Sequence, residues 1–176
     1  MSSAASGRPP IREILSGQVL QGTSGSGMTD HDIADLLGPL SALGSSAMFY
    51  GTMKAGQAFG TRLGLKSGKS EVREYAAPYS TVVLAMALGI QRTGYPMRAA
   101  YDTPDGSVIE CTLPPDLMSL AGEIDVEIVE RAAGRVAVTA TCEIKGQMFD
   151  WGKSKRALDG LFTSADGYLR RIGGQV

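Results

Sequence analysis

The chain has 176 residues, of which 43% are hydrophobic and 20% are charged, and its formal net charge is −1. This composition supports one domain with a buried core. The small net charge argues against a nucleic-acid partner, since nucleic-acid-binding domains usually carry a basic excess. Residues 1–10 lack the apolar core of a signal peptide, and no apolar run reaches the roughly 18 residues of a spanning helix. We therefore expect a cytoplasmic protein with no spanning membrane segment.

The N-terminal third is predicted to contain a flexible segment, a strand and two helices. Residues 1–10, rich in Ser, Ala, Gly and Pro, form the predicted flexible segment ahead of a single domain at 11–176. The apolar-rich stretch at 11–20 is interpreted as a first strand. Residues 22–27 are a predicted Gly/Ser/Thr linker. A short helix then begins near Thr29 with a capping-box-like pattern.

The second of these helices, predicted at 39–65, is unusually rich in glycine. Three of its glycines, Gly56, Gly60 and Gly64, follow a GxxxGxxxG pattern. Each glycine destabilises a helix interior by about 0.5–1 kcal/mol relative to alanine. We therefore expect either a broken helix or close packing of this stripe against another backbone. A membrane contact, which GxxxG patterns also serve, is less favoured because polar residues interrupt the segment.

From residue 70 onward the pattern changes to strands. The segment at 81–91 alternates large and small apolar residues, which is typical of a central strand covered on both faces. The turn at 104–106, Pro-Asp-Gly, predicts a hairpin because proline presets φ and glycine accepts positive φ. One helical turn is predicted at 116–121. Six strands are predicted in an antiparallel meander, at 70–77, 81–91, 97–103, 107–113, 122–131 and 135–145.

The C-terminal stretch predicts a strand followed by a long helix. Residues 135–145 alternate with a period of two, which is typical of a strand with one buried face. Asp150 is a predicted N-cap. Apolar residues then recur at helical spacing from Trp151 to Ile172, and about 22 residues of helix would be about 33 Å long. Three charged residues are predicted on the opposite side of this helix: Asp159, Asp166 and Arg170.

This order of elements resembles the helix-grip fold of the SRPBCC superfamily, which includes START domains, polyketide cyclases and pollen allergens. Residues 122–146 and the helix after them are similar in pattern to the carbon monoxide dehydrogenase branch of that superfamily. The resemblance implies an α+β fold in which a curved antiparallel sheet wraps around the long C-terminal helix. It also implies an apolar cavity between sheet and helix that often holds a lipid, a polyketide or another hydrophobic ligand.

We therefore expect non-catalytic binding of a hydrophobic small molecule or lipid. The predicted lining comes from the inward faces of strands and helix, with Trp151 near a mouth: Leu84, Met86, Leu88, Ile109, Val138, Leu161 and Phe162. One alternative is an interaction protein that docks on a partner complex or self-associates. Its predicted contact consists of small residues, namely Gly56, Gly60, Gly64, Gly160 and Gly167. A cyclase-like enzyme on the same fold is the third hypothesis.

Residues typical of catalysis are scarce. The only histidine, His31, lies beside a predicted helix cap. Cys111 and Cys142 are predicted to be free, buried thiols. No His, Cys and acidic residues share metal-ligand spacing, so we expect no catalytic residue, no metal and no cofactor. Acidic residues on the outward face of one strand predict a solvated rim: Glu123, Asp125 and Glu127.

The corner at 149–153 contains the only tryptophan. Trp151 is predicted either as a packing anchor or as part of a cavity mouth, where its indole and the Lys153 ammonium would meet the polar end of a ligand. Lys153, Lys155 and Arg156 crowd the positive end of the helix dipole, which is compatible with an anionic partner. The small residues along the helix predict close packing within the chain, an oligomer contact or room for a ligand: Ala157, Gly160, Ser164 and Gly167.

Overall fold

A computed structural model describes residues 8–16, 66–117, 119–146, 149 and 151–171. The elements of these residues are, in chain order, α1 (Ile11–Leu15), β1 (Lys66–Tyr75), α2 (Tyr79–Thr93), β2 (Met97–Asp102), β3 (Gly106–Leu113), β4 (Gly122–Ala132), β5 (Arg135–Lys145) and α3 (Lys153–Arg171). The predicted linker and glycine-rich helices fall outside the described residues. So do three residues singled out above: His31, Asp150 and Ile172.

The strands form one antiparallel sheet with the order β1-β5-β4-β3-β2. Strands β2 to β5 are a meander, and β1 pairs with β5 from Lys66 opposite Lys145 to Tyr75 opposite Val136. The first strand of the sheet therefore lies beside the last. The hairpin at 104–106 is confirmed, because β2 and β3 pair across it. The fold class is α+β, with five strands in the described sheet rather than the six predicted for this part of the chain.

The prediction of a strand at 81–91 is wrong, because this segment lies within α2. The six consecutive residues at 82–87 are all buried, so α2 is covered on every side. A helix buried all round has no polar face, and its sequence reads as a continuous apolar run much like a central strand. Length separates the two cases: the 15 residues of α2 exceed an ordinary strand. The helix ends at Gly94, whose φ of 75° is the left-handed C-cap conformation.

The predicted strand at 11–20 is also wrong over its first half, where residues 11–15 form α1. Ile11 and Ile14, both buried, are three residues apart and therefore share one side of this short helix. Five residues are too few for helical spacing to stand out from alternation in a sequence. The helical turn predicted at 116–121 is not formed by the described residues there, which are irregular.

Helices α2 and α3 pack against each other and contact the sheet. They approach closely at Gly89, where an added Cβ atom would lie 2.9 Å from the backbone oxygen of Leu161. Both cysteines are free and buried, as predicted, and burial raises the pKa of the Cys111 thiol to about 12. The core includes the inward side chains of β3, β4 and β5: Ile109, Cys111, Leu113, Ile124, Val126, Ile128, Val136, Val138, Ala140, Cys142 and Ile144.

Candidate functional site at one end of the sheet

The β3–β4 connection and the start of α3 meet around a buried lysine. Lys153 is only 6% exposed, and its Nζ donates to the carbonyl oxygens of Pro114 (2.6 Å) and Leu120 (3.1 Å). A carboxylate oxygen of Asp116 lies 3.6 Å from the same Nζ. An ammonium has three protons to donate, and these three oxygens surround it. Among the described residues, the negative partners of Lys153 therefore come from the chain itself.

Four large apolar side chains remain exposed at this end of the sheet. Leu117 and Leu120 belong to the β3–β4 connection, while Phe149 and Trp151 precede α3. We call these four residues the apolar end. The two aromatic ring centroids are 6.4 Å apart, and Trp151 is 63% exposed. The prediction that Trp151 is a packing anchor is therefore wrong.

The backbone holds Trp151 outward in an unusual conformation. Trp151 has a φ of 50°, in the left-handed region that non-glycine residues rarely adopt, and Gly152 follows at 75°. The Arg156 guanidinium donates to the carbonyl oxygen of Trp151 (3.0 Å), and the Arg156 backbone N–H donates to that of Gly152 (3.0 Å). One arginine thus stabilises two consecutive residues of the turn. Such conformations persist only where surrounding contacts enforce them.

The residues predicted to line a cavity lie in one hydrophobic cluster, apart from Trp151. Leu84, Met86 and Leu88 belong to α2 rather than to a strand, and Leu88 is only partly buried. The others come from β3, β5 and α3, and all are buried: Ile109, Val138, Leu161 and Phe162. The structure therefore brings the seven apolar residues together and leaves the tryptophan at the surface.

The glycines predicted at an interface have different surroundings. A Cβ atom on Gly160 would lie 3.8 Å from Cγ2 of Thr93, an ordinary contact with α2, and one on Gly167 would meet nothing within 4 Å. Gly56, Gly60 and Gly64 lie outside the described residues. The close approach to α3 is made by Gly89, a position that the strand prediction for 81–91 concealed.

A buried acidic residue on α3 was predicted on the wrong side. Asp166 is 5% exposed, and it accepts hydrogen bonds from Arg73 Nη1 (2.5 Å) and the Tyr75 hydroxyl (2.9 Å). The Arg73 guanidinium also lies 4.4 Å from the ring centroid of Phe162. Residues four apart share one side of a helix, so the spacing from Phe162 to Asp166 already indicated an inward position. This cluster connects α3 to β1.

A second polar cluster connects α1 and α2 to the β2–β3 hairpin. The Tyr79 hydroxyl lies 2.5 Å from Ser107 Oγ, which donates to Asp102 (2.9 Å). Asp102 also accepts the backbone N–H of Ile11 (3.0 Å). Burial raises the pKa of Tyr79, and Ser107 is fully buried. A serine closed off from solvent and hydrogen-bonded in this way supports the fold, and offers a substrate no access.

The outer face of the sheet carries the acidic rim that the sequence predicted. Arg98 donates to Glu110 (2.7 Å) and to Glu123 (2.6 Å), and Lys145 donates to Glu123 (2.6 Å). These hydrogen bonds, that of Lys145 first, lower the pKa of Glu123. Burial and then the charge of Glu110 raise the pKa of Asp125. Paired charges and half-buried threonines therefore cover this face.

Comparisons with known proteins and known site types add no assignment. No protein-family model matches the chain, and no curated protein matches it. Within the described ranges, no group of three or more His, Cys, Asp or Glu side chains is arranged to hold a metal ion. None of the described helices combines the length and the apolar character needed to cross a membrane.

The apolar end is the feature that sequence reasoning found only in part. Trp151 and Lys153 were singled out, but Leu117 and Leu120 were not. Both leucines follow Pro114-Pro115 in a segment with no strand or helix period. Apolar residues in a segment without periodicity have no regular face to bury, and this was the signal available in the sequence.

Proposed function

We propose that the protein binds a hydrophobic small molecule or lipid between the sheet and α3, without catalysing a reaction on it. The proposal follows the helix-grip resemblance to SRPBCC proteins. The strand order supports it, since β1 lies beside β5 and the remaining strands form a meander. So does the position of the long C-terminal helix, which contacts both β1 and β5.

The observation that carries the proposal is the apolar end. Folding ordinarily buries large aromatic side chains, and contiguous apolar groups left at a surface commonly mark a binding site. The first core residues of α3, Ala157 and Leu158, begin less than two helical turns after Trp151. The apolar end therefore borders the interior, and an apolar ligand passing between water and the core would meet these side chains first.

The interior chemistry suits an apolar ligand. Leu161 and Phe162 are fully buried among aliphatic side chains of β3, β4 and β5. The described polar groups that face inward already have partners: Asp166 with Arg73 and Tyr75, for example. A ligand with many polar groups would lose its hydration without replacement hydrogen bonds, at a cost of about 1–3 kcal/mol for each group. The ligand is therefore expected to be mostly apolar.

Native mass spectrometry of freshly purified protein, followed by titration with fatty acids, sterols and aromatic polyketides, tests the proposal. We expect a bound adduct, a change in the emission of the single tryptophan, and a rise in melting temperature through preferential binding to the folded state. The Trp151→Phe variant is the control: it should lose the emission signal but keep the thermal shift. Absence of extractable ligand together with no thermal response to any of these compounds would contradict the proposal.

The alternative proposal, a protein that docks on a partner complex, rests on the same exposed side chains. It would be favoured if the protein co-purified with a stoichiometric protein partner and carried no small molecule. Gly167 gives a second indication, because the open space beside it on α3 leaves room for another backbone to approach. Native mass spectrometry reports subunit number and bound ligand together, and so separates the two proposals.

A further inference from the structure

Exposed apolar side chains are unevenly distributed over the described residues. Apart from the apolar end, the large ones are Val72 and Tyr101, which lie separately on β1 and β2, the two edge strands. The apolar end combines four at one place, and Leu117 has a relative exposure of 106%. A side chain with that exposure protrudes, so that even its flanks are uncovered. The shape is therefore a set of projecting tips.

These tips are held in place from below. Lys153 fixes the carbonyls of Pro114 and Leu120 on one side, and Arg156 fixes the carbonyl of Trp151 on the other. Both cations belong to the first turn of α3. The outward position of the apolar side chains is thus built into the chain by two independent sets of hydrogen bonds.

Positive charge lies directly behind the tips. The side chain of Lys155 is 63% exposed and pairs with Asp159 at 2.6 Å, an exposed contact that another anion can replace. Within the described part of the chain, the partner of the Arg156 side chain is the neutral carbonyl of Trp151. Its charge is therefore available beside the indole. Guanidinium and ammonium groups are the protein's main ligands for phosphate.

We infer that the apolar end docks on the surface of an anionic lipid bilayer. Phe149, Trp151 and the two leucines would enter the interfacial region, while Lys155 and Arg156 would contact lipid phosphates. Tryptophan favours this region because its ring is apolar and its N–H is polar. Protruding apolar groups backed by cations suit a deformable bilayer better than a second folded surface, which would need a matching set of pockets.

This inference goes beyond the proposed function, because docking does not require a ligand in the interior. If both hold, the bilayer is the source of the apolar ligand. Each can fail alone: a protein that docks but carries no ligand would refute only the proposed function. A protein that carries extractable lipid but does not sediment with vesicles would refute only the docking.

The test uses the full chain and two kinds of vesicle, one of phosphatidylcholine and one of phosphatidylcholine and phosphatidylglycerol in equal parts. We expect co-sedimentation with the anionic vesicles, a blue shift in the emission of Trp151, and weaker binding to the neutral vesicles. The double variant Lys155→Gln, Arg156→Gln should lower affinity for anionic vesicles by more than about tenfold. Its charge-matched control is Arg131→Gln, Arg135→Gln, at the opposite end of β4 and β5, which should bind like the wild type.

A second pair of variants tests the apolar contribution. Leu117→Ser, Phe149→Ser should weaken vesicle binding about tenfold or more, since both side chains leave the interfacial region. Val72→Ser, Tyr101→Ser, which removes the same number of exposed apolar side chains from the sheet edges, should not. Thermal melts confirm that each variant is folded. Unchanged tryptophan emission with vesicles, equal binding by the two serine variants, or capture of a stoichiometric protein partner by the apolar end in place of vesicles would overturn the inference.

Discussion

The two faces of the sheet are built from alternate residues of the same strands, but they differ in what covers them. On the inner face, Val138 and its neighbours are fully buried beneath α2 and α3. On the outer face, Arg98, Glu110, Glu123 and Lys145 form a ladder of hydrogen-bonded charges open to water. Apolar packing provides most of the stability of such a fold, and exposed ion pairs provide little.

This difference shows where function is to be sought. The inner face uses its apolar groups to fold, and the outer face uses its charges to stay solvated. The apolar end belongs to neither: its side chains are apolar like the inner face and exposed like the outer face. Because folding does not account for this combination, binding is the remaining explanation that physical chemistry offers.

The largest expected effect is on the inner face. Phe162→Ala should lower the free energy of unfolding by about 3–5 kcal/mol, because it leaves a cavity and removes the ring beside Arg73. Denaturant unfolding measures this loss. Thr163→Ala, the exposed neighbour on α3, is the control and should change stability by less than about 0.5 kcal/mol. Equal effects at the two positions would mean that α3 does not cover the sheet as described.

A smaller effect is expected where the two helices cross above the inner face. Gly89→Ala places its Cβ 2.9 Å from a backbone oxygen of α3, and overpacking of this kind costs about 1–3 kcal/mol. That cost exceeds the gain of about 0.5–1 kcal/mol from helix propensity, so the variant should be less stable.

The matched change Gly167→Ala meets nothing within 4 Å and should stabilise the protein. Thermal melts of the two variants therefore shift in opposite directions. Destabilisation by Gly167→Ala, or a change in subunit number measured by light scattering, would instead place Gly167 in a contact between chains.

The smallest effects are expected on the outer face, and they depend on pH. The pKa of Glu123 is lowered in the folded state, so its pairing stabilises the protein above the ordinary carboxyl pKa and is lost as pH falls through the folded value. Glu123→Gln should therefore lower the melting temperature at pH 7, and the difference should vanish at acid pH. Stability changes of less than about 1 kcal/mol are expected for exposed pairs.

Asp125 has the opposite sign. Its raised pKa means that the ionised carboxylate is disfavoured in the folded state, a penalty present at neutral pH and relieved as pH falls through the folded pKa. Asp125→Asn should therefore raise the melting temperature at pH 7, with a gain that disappears in acid. The same sign for both variants would show that the two carboxyl groups do not differ in environment as the outer face indicates.

The sequence by itself determined the elements that have one buried face. Strands β3, β4 and β5, the hairpin at 104–106 and most of α3 follow from period-two alternation, turn chemistry and a stripe at helical spacing. In these segments each residue's polarity directly reports which side it faces. The acidic rim at Glu123, Asp125 and Glu127 and the buried cysteines were predictable for the same reason.

Only the tertiary structure decided the elements without such a pattern. Segment 81–91 is covered on all sides, so polarity could not distinguish helix from strand, and α1 is too short to show a period.

The candidate site was only partly predictable, because its key residues depend on partners distant in sequence. Lys153 is buried because carbonyls of the β3–β4 connection reach it, and Asp166 is buried because Arg73 and Tyr75 face it across α3 and β1. Trp151 is exposed because local hydrogen bonds hold its backbone at positive φ. Polarity and spacing describe a residue's neighbours along the chain, whereas burial of a charge or exposure of an indole is decided by contacts that only the folded chain brings together.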